Sequence, residues 1–189
     1  RAGAWPQASR RGHHVAHDEG KRKNEASVKV EIGPIEDSGV AHVHANMWPR
    51  GRAELERMGL VPEKMLPAYL ERNRTPFSFG IFVDGRPVGF MGARQIEATG
   101  DRKAYGTWFL ATDEFEAAGL AVTRAIKKFV DGKIRENPDA DLYLMSASDH
   151  SDADRWFGLL GFRFVTMLGV VRTFKHGGLH VSSARRVAG

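Results

Sequence analysis

The segment SDHSDADRWFGLLGFRFV, residues 148–165, contains the most informative pattern in the chain. A polar, acidic stretch leads into a short apolar helix, and Gly161 is suited to end that helix because glycine adopts positive φ readily. Phe162 then begins a strand and is expected to pack that strand against the core. Ser151 and Asp152 are suited to cap the helix at its other end. The segment therefore predicts a helix, a tight turn and a strand, with a polar entry.

A strand, a long helix and a second strand precede this unit. AYGTWFLAT (104–112) and the stretch 141–147 are strand candidates, and EAAGLAVTRAIKKFVDGKIREN (116–137) is the clearest amphipathic helix. A crossover through one helix joins parallel strands. We therefore predict that strands 104–112 and 141–147 run parallel and diverge at their carboxyl ends.

The remaining elements complete an α/β fold. Strand periodicity begins within 27–35, short helices follow up to about residue 73, and further strands are expected at the carboxyl end. DGRP (84–87) contains residues typical of a tight turn and lies between two strand-like runs, which predicts a hairpin. This order favours a mixed central sheet flanked by helices, with antiparallel and parallel parts. The further strand candidates are 77–83, 88–96, 162–168 and 170–175.

Composition restricts the class of protein. The 189 residues contain no apolar run of the roughly 18 residues that span a bilayer. The absence of Cys excludes disulfides, thiolate metal sites and a Cys nucleophile, and fits a reducing, cytoplasmic compartment. Residues 1–26 carry six Lys or Arg against three Asp or Glu without apolar periodicity, which predicts a disordered basic tail. We expect one domain over 27–175 and a second tail over 176–189, with no metal site.

Two motifs resemble the GCN5-related N-acetyltransferase (GNAT) family. EAAGLA (116–121) is similar to that family's Gln/Arg-x-x-Gly-x-Gly/Ala motif through Gly119 and Ala121. The 148–165 segment matches the register of the family's last helix, and the element order resembles the family over about 28–175. The matching positions of that helix are His150, Ala153, Phe157, Gly161 and Phe162.

The resemblance implies a GNAT-like sheet and acetyl-CoA as the cofactor. Small residues at a helix start let backbone N–H groups approach a pyrophosphate. By analogy, Gly119, Leu120 and Ala121 are expected to hold the pyrophosphate. The end of strand 104–112 and the last helix are expected to border the rest of the cofactor through Leu110, Ala111, Thr112 and Phe157.

Several positions depart from the family pattern. Phe157 stands where a Tyr is common, and phenylalanine has no proton to give to a leaving thiolate. Glu116 stands where Gln or Arg is expected, and with Asp113 and Glu114 it places three acidic groups where a pyrophosphate would bind. Strand 104–112 also lacks the Glu that many members use as a base. These departures favour the alternative that the fold is retained while cofactor binding is weakened or lost.

The chemistry of acyl transfer points to a few candidate residues. His150 is the candidate base because the ordinary pKa of His, about 6.5, suits proton transfer, and Asp149 is the candidate that orients it. A solvated loop His is the alternative. A backbone N–H on FLAT (109–112) is expected to polarise a thioester carbonyl. His44, Trp48 and Tyr105 are candidate substrate contacts. Burial in the core is the alternative for Trp48, and packing within a strand is the alternative for Tyr105.

We therefore expect an acetyl-CoA-dependent N-acyltransferase that acts on a small-molecule or protein amine. The alternative is a degenerate, non-catalytic member with a structural or interaction role, for example a phage-encoded virion component. A nucleic-acid partner rests only on residues 1–26 and is the weakest hypothesis. The acceptor and the oligomeric state, including a homo-oligomer or a larger protein assembly, stay open.

Overall fold

The computed structural model of the chain describes residues 28–71, 75–97, 102–150 and 152–177. The predicted tail 1–26 lies outside these residues, and of the predicted tail 176–189 only the first two residues lie within them. The described elements, in chain order, are β1 Val30–Gly33, α1 Asp37–Ala45, α2 Pro49–Arg57, a 3-10 turn Pro62–Lys64, α3 Leu66–Glu71, β2 Phe79–Val83, β3 Arg86–Ile96, β4 Lys103–Ala111, α4 Asp113–Glu136, β5 Ala140–Ser146, α5 Ala153–Leu159, β6 Arg163–Leu168 and β7 Val171–Gly177.

One mixed sheet joins the strands in the order β1-β2-β3-β4-β5-β7-β6. The β4–β5 pair is parallel, as the sequence predicts, and the other neighbouring pairs are antiparallel. The β4–β5 ladder runs from Lys103–Ala140 to Thr107–Leu144. Beyond that point the two strands diverge, so the last four residues of β4 and the last two of β5 do not pair with each other.

Helices cover both faces of the sheet. The buried stripe of α4 repeats every four residues through Val122, Ile126, Val130 and Ile134, and α4 packs against β1, β2 and β3. Helix α1 contributes Val40 and Val43 to a second apolar cluster with Phe90 of β3. The two clusters fix the sheet between the helices and set the position of the open end of β4 and β5.

The turn after α5 forms the capping arrangement that its sequence predicts. Gly161 has φ +96°, and its N–H donates to the carbonyl of Gly158 over 3.0 Å. The N–H of Phe162 donates to the carbonyl of Phe157 over 3.0 Å. These two bonds define a Schellman motif, which needs a left-handed residue at the Gly161 position. Phe162 is only 4% exposed, so the turn places it in the core.

A buried carboxylate ties the start of β5 to its surroundings. Asp141, 5% exposed, accepts hydrogen bonds from Arg102 (Nη2–Oδ1, 2.9 Å) and pairs with Lys175 of β7 (Nζ–Oδ2, 2.9 Å). Burial by itself would raise the pKa of Asp141, but the hydrogen bonds from Arg102 and Lys175 outweigh it and hold that pKa below its usual range. Among the described residues, no helix is long and apolar enough to cross a bilayer.

Candidate functional site

A cavity of about 300 Å³ lies where β4 and β5 diverge. Its walls come from the ends of both strands, from α2, from the start of α4 and from α5, so the divergence of the sheet creates the space. Most of the lining is aromatic or aliphatic. The lining includes Trp48, Arg50, Glu54, Leu55, Met58, Tyr69, Trp108, Phe109, Leu110, Phe115, Glu116, Gly119, Thr123, His150, Asp152, Trp156 and Phe157.

The backbone of β4 presents an N–H group to this cavity. Thr112 donates its N–H to the carbonyl of Val88, so every second residue before it, beginning with Leu110, also faces β3. Ala111 faces the other way, and its carbonyl accepts the Trp48 N–H over 2.9 Å. By the same alternation Phe109 faces β5. Because the ladder ends at Thr107–Leu144, the N–H of Phe109 points into the gap between the strands rather than at a β5 carbonyl.

Helix α4 is broken one and a half turns after it begins. Gly119 has φ +43° and ψ −111°, a conformation that only glycine adopts readily. A β-carbon added there would meet open space, because, apart from the adjoining backbone, no heavy atom of the described residues lies within 4 Å of it. The long part of α4 therefore starts at Gly119, where its partial positive charge faces an open surface beside the cavity. The Thr123 hydroxyl donates to the Gly119 carbonyl over 3.1 Å and holds the break in place.

Two of the three acidic side chains near this break are paired. Glu114 accepts a hydrogen bond from Arg86 over 3.0 Å, and Glu116 accepts one from Arg50 over 3.0 Å. The second pair links α4 to α2 across the rim of the cavity. Pairing places a cationic group beside each of these carboxylates and so offsets part of the repulsion that they would exert on a bound anion. Both pairs are exposed and screened by solvent.

Helix α2 clamps the loop that follows β5. Glu54 Oε1 accepts the Ala147 N–H over 3.0 Å, and Arg57 Nε donates to the Ala147 carbonyl over 2.8 Å. Arg57 also donates to both carboxylate oxygens of Asp149, over 3.1 and 3.2 Å. Asp149 therefore holds the loop through Arg57 instead of orienting the ring of His150. On the other side of the loop, Arg172 of β7 donates to the carbonyl of Ser148.

His150 lines the cavity at the entry to α5. Its Nδ1 accepts the N–H of Asp152 over 3.2 Å. A neutral ring whose Nδ1 accepts a hydrogen bond carries its proton on Nε2, so this ring offers a donor to its surroundings. Protonation of Nδ1 would break the bond to Asp152. The role of His150 as a base stays a prediction, and the geometry favours a role in binding.

Aromatic rings form one wall of the cavity. Phe109 packs against Phe115 (ring centroids 5.0 Å apart) and against Trp156 (5.4 Å), and Trp156 also packs against Phe157 (5.5 Å). The indole N–H of Trp156 donates to Thr123 Oγ1 over 3.1 Å. This bond links α5 to α4, so Thr123 fixes both the helix break and the aromatic wall.

The architecture matches solved acetyltransferases. The GNAT domain of S. lividans PAT superposes with a TM-score of 0.59 at 12% identity, over 78% of this chain and 89% of that one. An acetyltransferase from Thermus thermophilus superposes with a TM-score of 0.56 at 17% sequence identity, over 78% of this chain and 96% of that one. Arabidopsis thaliana Naa50, in complex with a bisubstrate analogue, superposes with a TM-score of 0.56 at 10% sequence identity, over 78% of this chain and 98% of that one. The chain has the GNAT fold. No protein-family model and no curated protein matches the sequence.

Within this GNAT fold, only some of the residues expected to border the cofactor line the cavity. Leu110, Gly119 and Phe157 line the cavity. Leu120 and Ala121 are exposed next to Gly119, with Leu120 58% exposed. Ala111 and Thr112 are buried, and the backbone of each bonds to a neighbouring segment: Ala111 to Trp48, and Thr112 to Val88.

Of the three candidate substrate contacts, only Trp48 lines the cavity. Trp48 lines the cavity and packs edge-on against Phe115, with ring centroids 6.1 Å apart. The His44 ring instead lies on α1, where its Nε2 bonds to the Pro62 carbonyl over 2.7 Å. Tyr105 is 8% exposed and packs against Phe77, with centroids 4.9 Å apart. Neither His44 nor Tyr105 is among the lining residues. The burial of Tyr105 agrees with the alternative of packing within a strand, whereas His44 is half-buried.

Three features of the site were not assigned from the sequence: the direction of Phe109, the clamp by Glu54 and Arg57, and the bond from Trp156 to Thr123. The first had a signal, because FLAT lies at the end of the strand that was expected to diverge. The other two join residues that are between 33 and 93 positions apart in the chain. No local pattern reveals such pairs.

Proposed function

We propose that the chain is an acyl-CoA-dependent N-acyltransferase. The observation that carries the proposal is the Phe109 N–H, which faces the gap between the diverging ends of β4 and β5 beside the break in α4 at Gly119. A hydrogen-bond donor on rigid backbone, within a mostly apolar cavity, suits a carbonyl oxygen that gains negative charge during acyl transfer. The complex of Arabidopsis Naa50 with a CoA-containing bisubstrate analogue supports the choice of cofactor for this fold.

The residues present fit an acyl-CoA. Open space beside Gly119 and the positive end of the long part of α4 suit a pyrophosphate. The pairs Arg86–Glu114 and Arg50–Glu116 offset the acidic charge nearby. The gap between β4 and β5 suits a pantetheine arm, and the Phe109 N–H suits the thioester oxygen. When bound, the cofactor supplies the activated acyl group.

The chain's own groups then account for the remaining requirements of the reaction. The Phe109 N–H orients and polarises the carbonyl, and the wall of Phe115, Trp156 and Phe157 excludes water from it. His150 offers an Nε2 donor at the mouth of the cavity. Phe157 cannot supply a proton to the leaving sulfur. Because an ordinary thiol has a pKa near 8.5, the sulfur would not need a proton donor from the protein.

A non-catalytic binding role is the second candidate. Phe157 supports it, because it replaces a proton donor with a ring that packs against Phe174 at 4.9 Å between centroids. The bond from Trp156 to Thr123 supports it as well, because it holds the indole across the space between α4 and α5. In that role the cavity binds a ligand without acyl transfer.

Calorimetric titration of acetyl-CoA tests the proposal. We expect binding by the unmodified chain, and at least tenfold weaker binding by Gly119→Trp than by Gly119→Ala. Both substitutions place a side chain at φ +43°, which costs about 1–3 kcal/mol in backbone strain. The loss of acetyl-CoA affinity in the alanine variant therefore reports the effect of backbone strain. The further loss in the tryptophan variant reports the effect of a large side chain at the pyrophosphate position.

Two results would contradict the proposal. One is the absence of heat with acetyl-CoA while the chain remains folded by circular dichroism, which would favour the non-catalytic role. The other is equal affinity in the alanine and tryptophan variants, which would separate cofactor binding from the α4 break. With binding established, formation of free thiol in the presence of a panel of amines measures transfer.

A further inference from the structure

One side of the cavity is distinct from the aromatic wall that borders the strand gap. Helix α2 contributes Leu55, the residue after α2 is Met58, α3 contributes Tyr69, and β4 contributes Trp108 and Leu110. Leu55 is 7% exposed, Tyr69 2% and Leu110 2%, so this side is set in the second core cluster rather than at the surface. We call these five residues the apolar side. A ligand group seated there has to be apolar to compensate for the water it displaces.

The charges on the cavity wall favour a cation. The lining contains one guanidinium, that of Arg50, and three carboxylates, those of Glu54, Glu116 and Asp152. Arg50 is bonded to Glu116. Among the described lining residues, no other Lys or Arg is present to receive a carboxylate of the ligand. A ligand that carries its own carboxylate would therefore be repelled, and a ligand with an ammonium group would be attracted.

Glu54 is the carboxylate best placed to bind an ammonium group. It is half-buried on α2, next in sequence to Leu55 of the apolar side. Its Oε1 accepts the Ala147 N–H over 3.0 Å, which fixes the carboxylate against the end of β5. Within the described part of the chain, its second oxygen remains available to accept. By contrast, Glu116 is bonded to Arg50, and Asp152 is exposed.

We propose that the acceptor is a small apolar primary amine without a carboxylate, whose ammonium group is bound by Glu54 and whose apolar part lies against the apolar side. This proposal rests on the proposed function. In the transfer, the amine nitrogen forms a bond to the acyl carbon, and the carbon–sulfur bond breaks with its electron pair going to sulfur. The ammonium nitrogen loses two protons in all. Of these two protons, one ends on sulfur and one in solvent.

Equilibrium binding tests the proposal without turnover. Trp48, Trp108 and Trp156 line the cavity, so ligand binding is expected to change the intrinsic tryptophan fluorescence. Three probes share one phenyl ring and one chain length: 2-phenylethylamine, phenylalanine, which adds a carboxylate, and 2-phenylethanol, which lacks the ammonium group. We expect saturable binding of 2-phenylethylamine, with the other two binding roughly tenfold to hundredfold more weakly, the range typical of a charged hydrogen bond.

Two matched variants isolate Glu54. Glu54→Gln keeps an oxygen that can accept the Ala147 N–H but removes the charge, and we expect it to bind 2-phenylethylamine at least tenfold more weakly. Glu56→Gln makes the same change two residues further along α2, where the side chain is exposed and not part of the lining, and it should bind like the unmodified chain. Equal urea midpoints would show that the loop clamp survives in both variants.

Several outcomes would overturn the acceptor assignment: equal affinity for phenylalanine, equal affinity in Glu54→Gln, a loss of affinity in Glu56→Gln as large as that in Glu54→Gln, or no binding of 2-phenylethylamine at all. Acetyl-CoA titration separates this failure from that of the proposed function. If acetyl-CoA binds and the amine does not, only the acceptor assignment fails. If the amine binds through Glu54 and acetyl-CoA does not, the amine site stands and acyl transfer fails.

Discussion

The bond between Trp156 and Thr123 gives a prediction that can be measured quantitatively. Thr123→Val keeps the shape of the side chain but removes the hydroxyl, which both accepts the Trp156 indole N–H and donates to the Gly119 carbonyl. A typical intramolecular hydrogen bond contributes about 0.5–1.5 kcal/mol net. Thr123 is 9% exposed, so neither bond is readily replaced by water. We expect Thr123→Val to lower the free energy of unfolding by about 2 kcal/mol, the sum of two such bonds.

A double-mutant cycle isolates the bond to Trp156. Trp156→Phe removes the indole N–H, and the double variant removes both partners. The loss of the Gly119 bond is common to the two threonine-to-valine steps, and the loss of ring area is common to the two tryptophan-to-phenylalanine steps, so both cancel in the cycle. The remaining coupling should be about 1 kcal/mol. Thr123→Ser keeps the hydroxyl and, paired with Trp156→Phe, should give a coupling near zero, because the bond to the indole is present in both of its tryptophan-containing corners.

Urea unfolding followed by far-UV circular dichroism is the assay, with the slope of each transition compared before midpoints are converted to free energies. A coupling between Thr123→Val and Trp156→Phe within about 0.3 kcal/mol of zero, the usual limit of additivity for independent sites, would refute the reasoning. It would mean that Thr123 does not hold the aromatic wall, and that the linkage between α4 and α5 plays no part in shaping the cavity.

Three further predictions concern other parts of the chain. Asp141→Asn should cost about 3 kcal/mol of stability at pH 7, as for a broken buried ion pair. The pKa of Asp141 in the folded chain lies below its unfolded value of about 3.9, so this stabilisation is present above pH 4 and is lost as pH falls through the folded pKa. The difference in urea midpoint between the variant and the unmodified chain should therefore shrink in acid. A difference that stays constant down to pH 2 would contradict this prediction. His150→Asn, which keeps an acceptor for the Asp152 N–H, should retain acetyl-CoA affinity and any transfer rate better than His150→Ala. Equally slow transfer in both variants, with acetyl-CoA affinity unchanged, would instead make His150 the base. Deletion of residues 1–26 should shift the melting temperature by no more than a few degrees, because that stretch lacks apolar periodicity, and a larger shift measured by calorimetry would show that it docks on the domain.

Most of the fold could be predicted from short-range sequence patterns. The spacing of Val122, Ile126, Val130 and Ile134 is enough to predict α4, and the Gly161–Phe162 pair is enough to predict how α5 ends, because both depend on neighbours within a few residues. The parallel pairing of β4 and β5 follows from the helix between them. The break at Gly119 is different, since a glycine near a helix start is compatible with either a straight or a broken helix.

The site was less accessible to sequence reasoning. Asp149 and His150 are adjacent, which suggested that one orients the other, but Arg57 reaches Asp149 from 92 positions away and forms a two-pronged ion pair with it. Glu54 reaches the same loop from a helix whose local sequence shows only an amphipathic pattern. Contacts of this kind depend on how α2 packs over the end of β5, and no short-range rule specifies that packing.

The backbone N–H of Phe109 is the most direct reporter of the proposed chemistry. In a chain labelled with ¹⁵N-phenylalanine, each of the 11 phenylalanines contributes one amide signal, and a Phe109→Leu variant identifies the signal of interest by its loss. Titration with acetyl-CoA should move the Phe109 signal further than the others, and CoA, which lacks the acyl carbonyl, should move it substantially less. A Phe109 signal that stays in place, or that moves equally with acetyl-CoA and CoA, would contradict the account that this N–H binds the thioester oxygen.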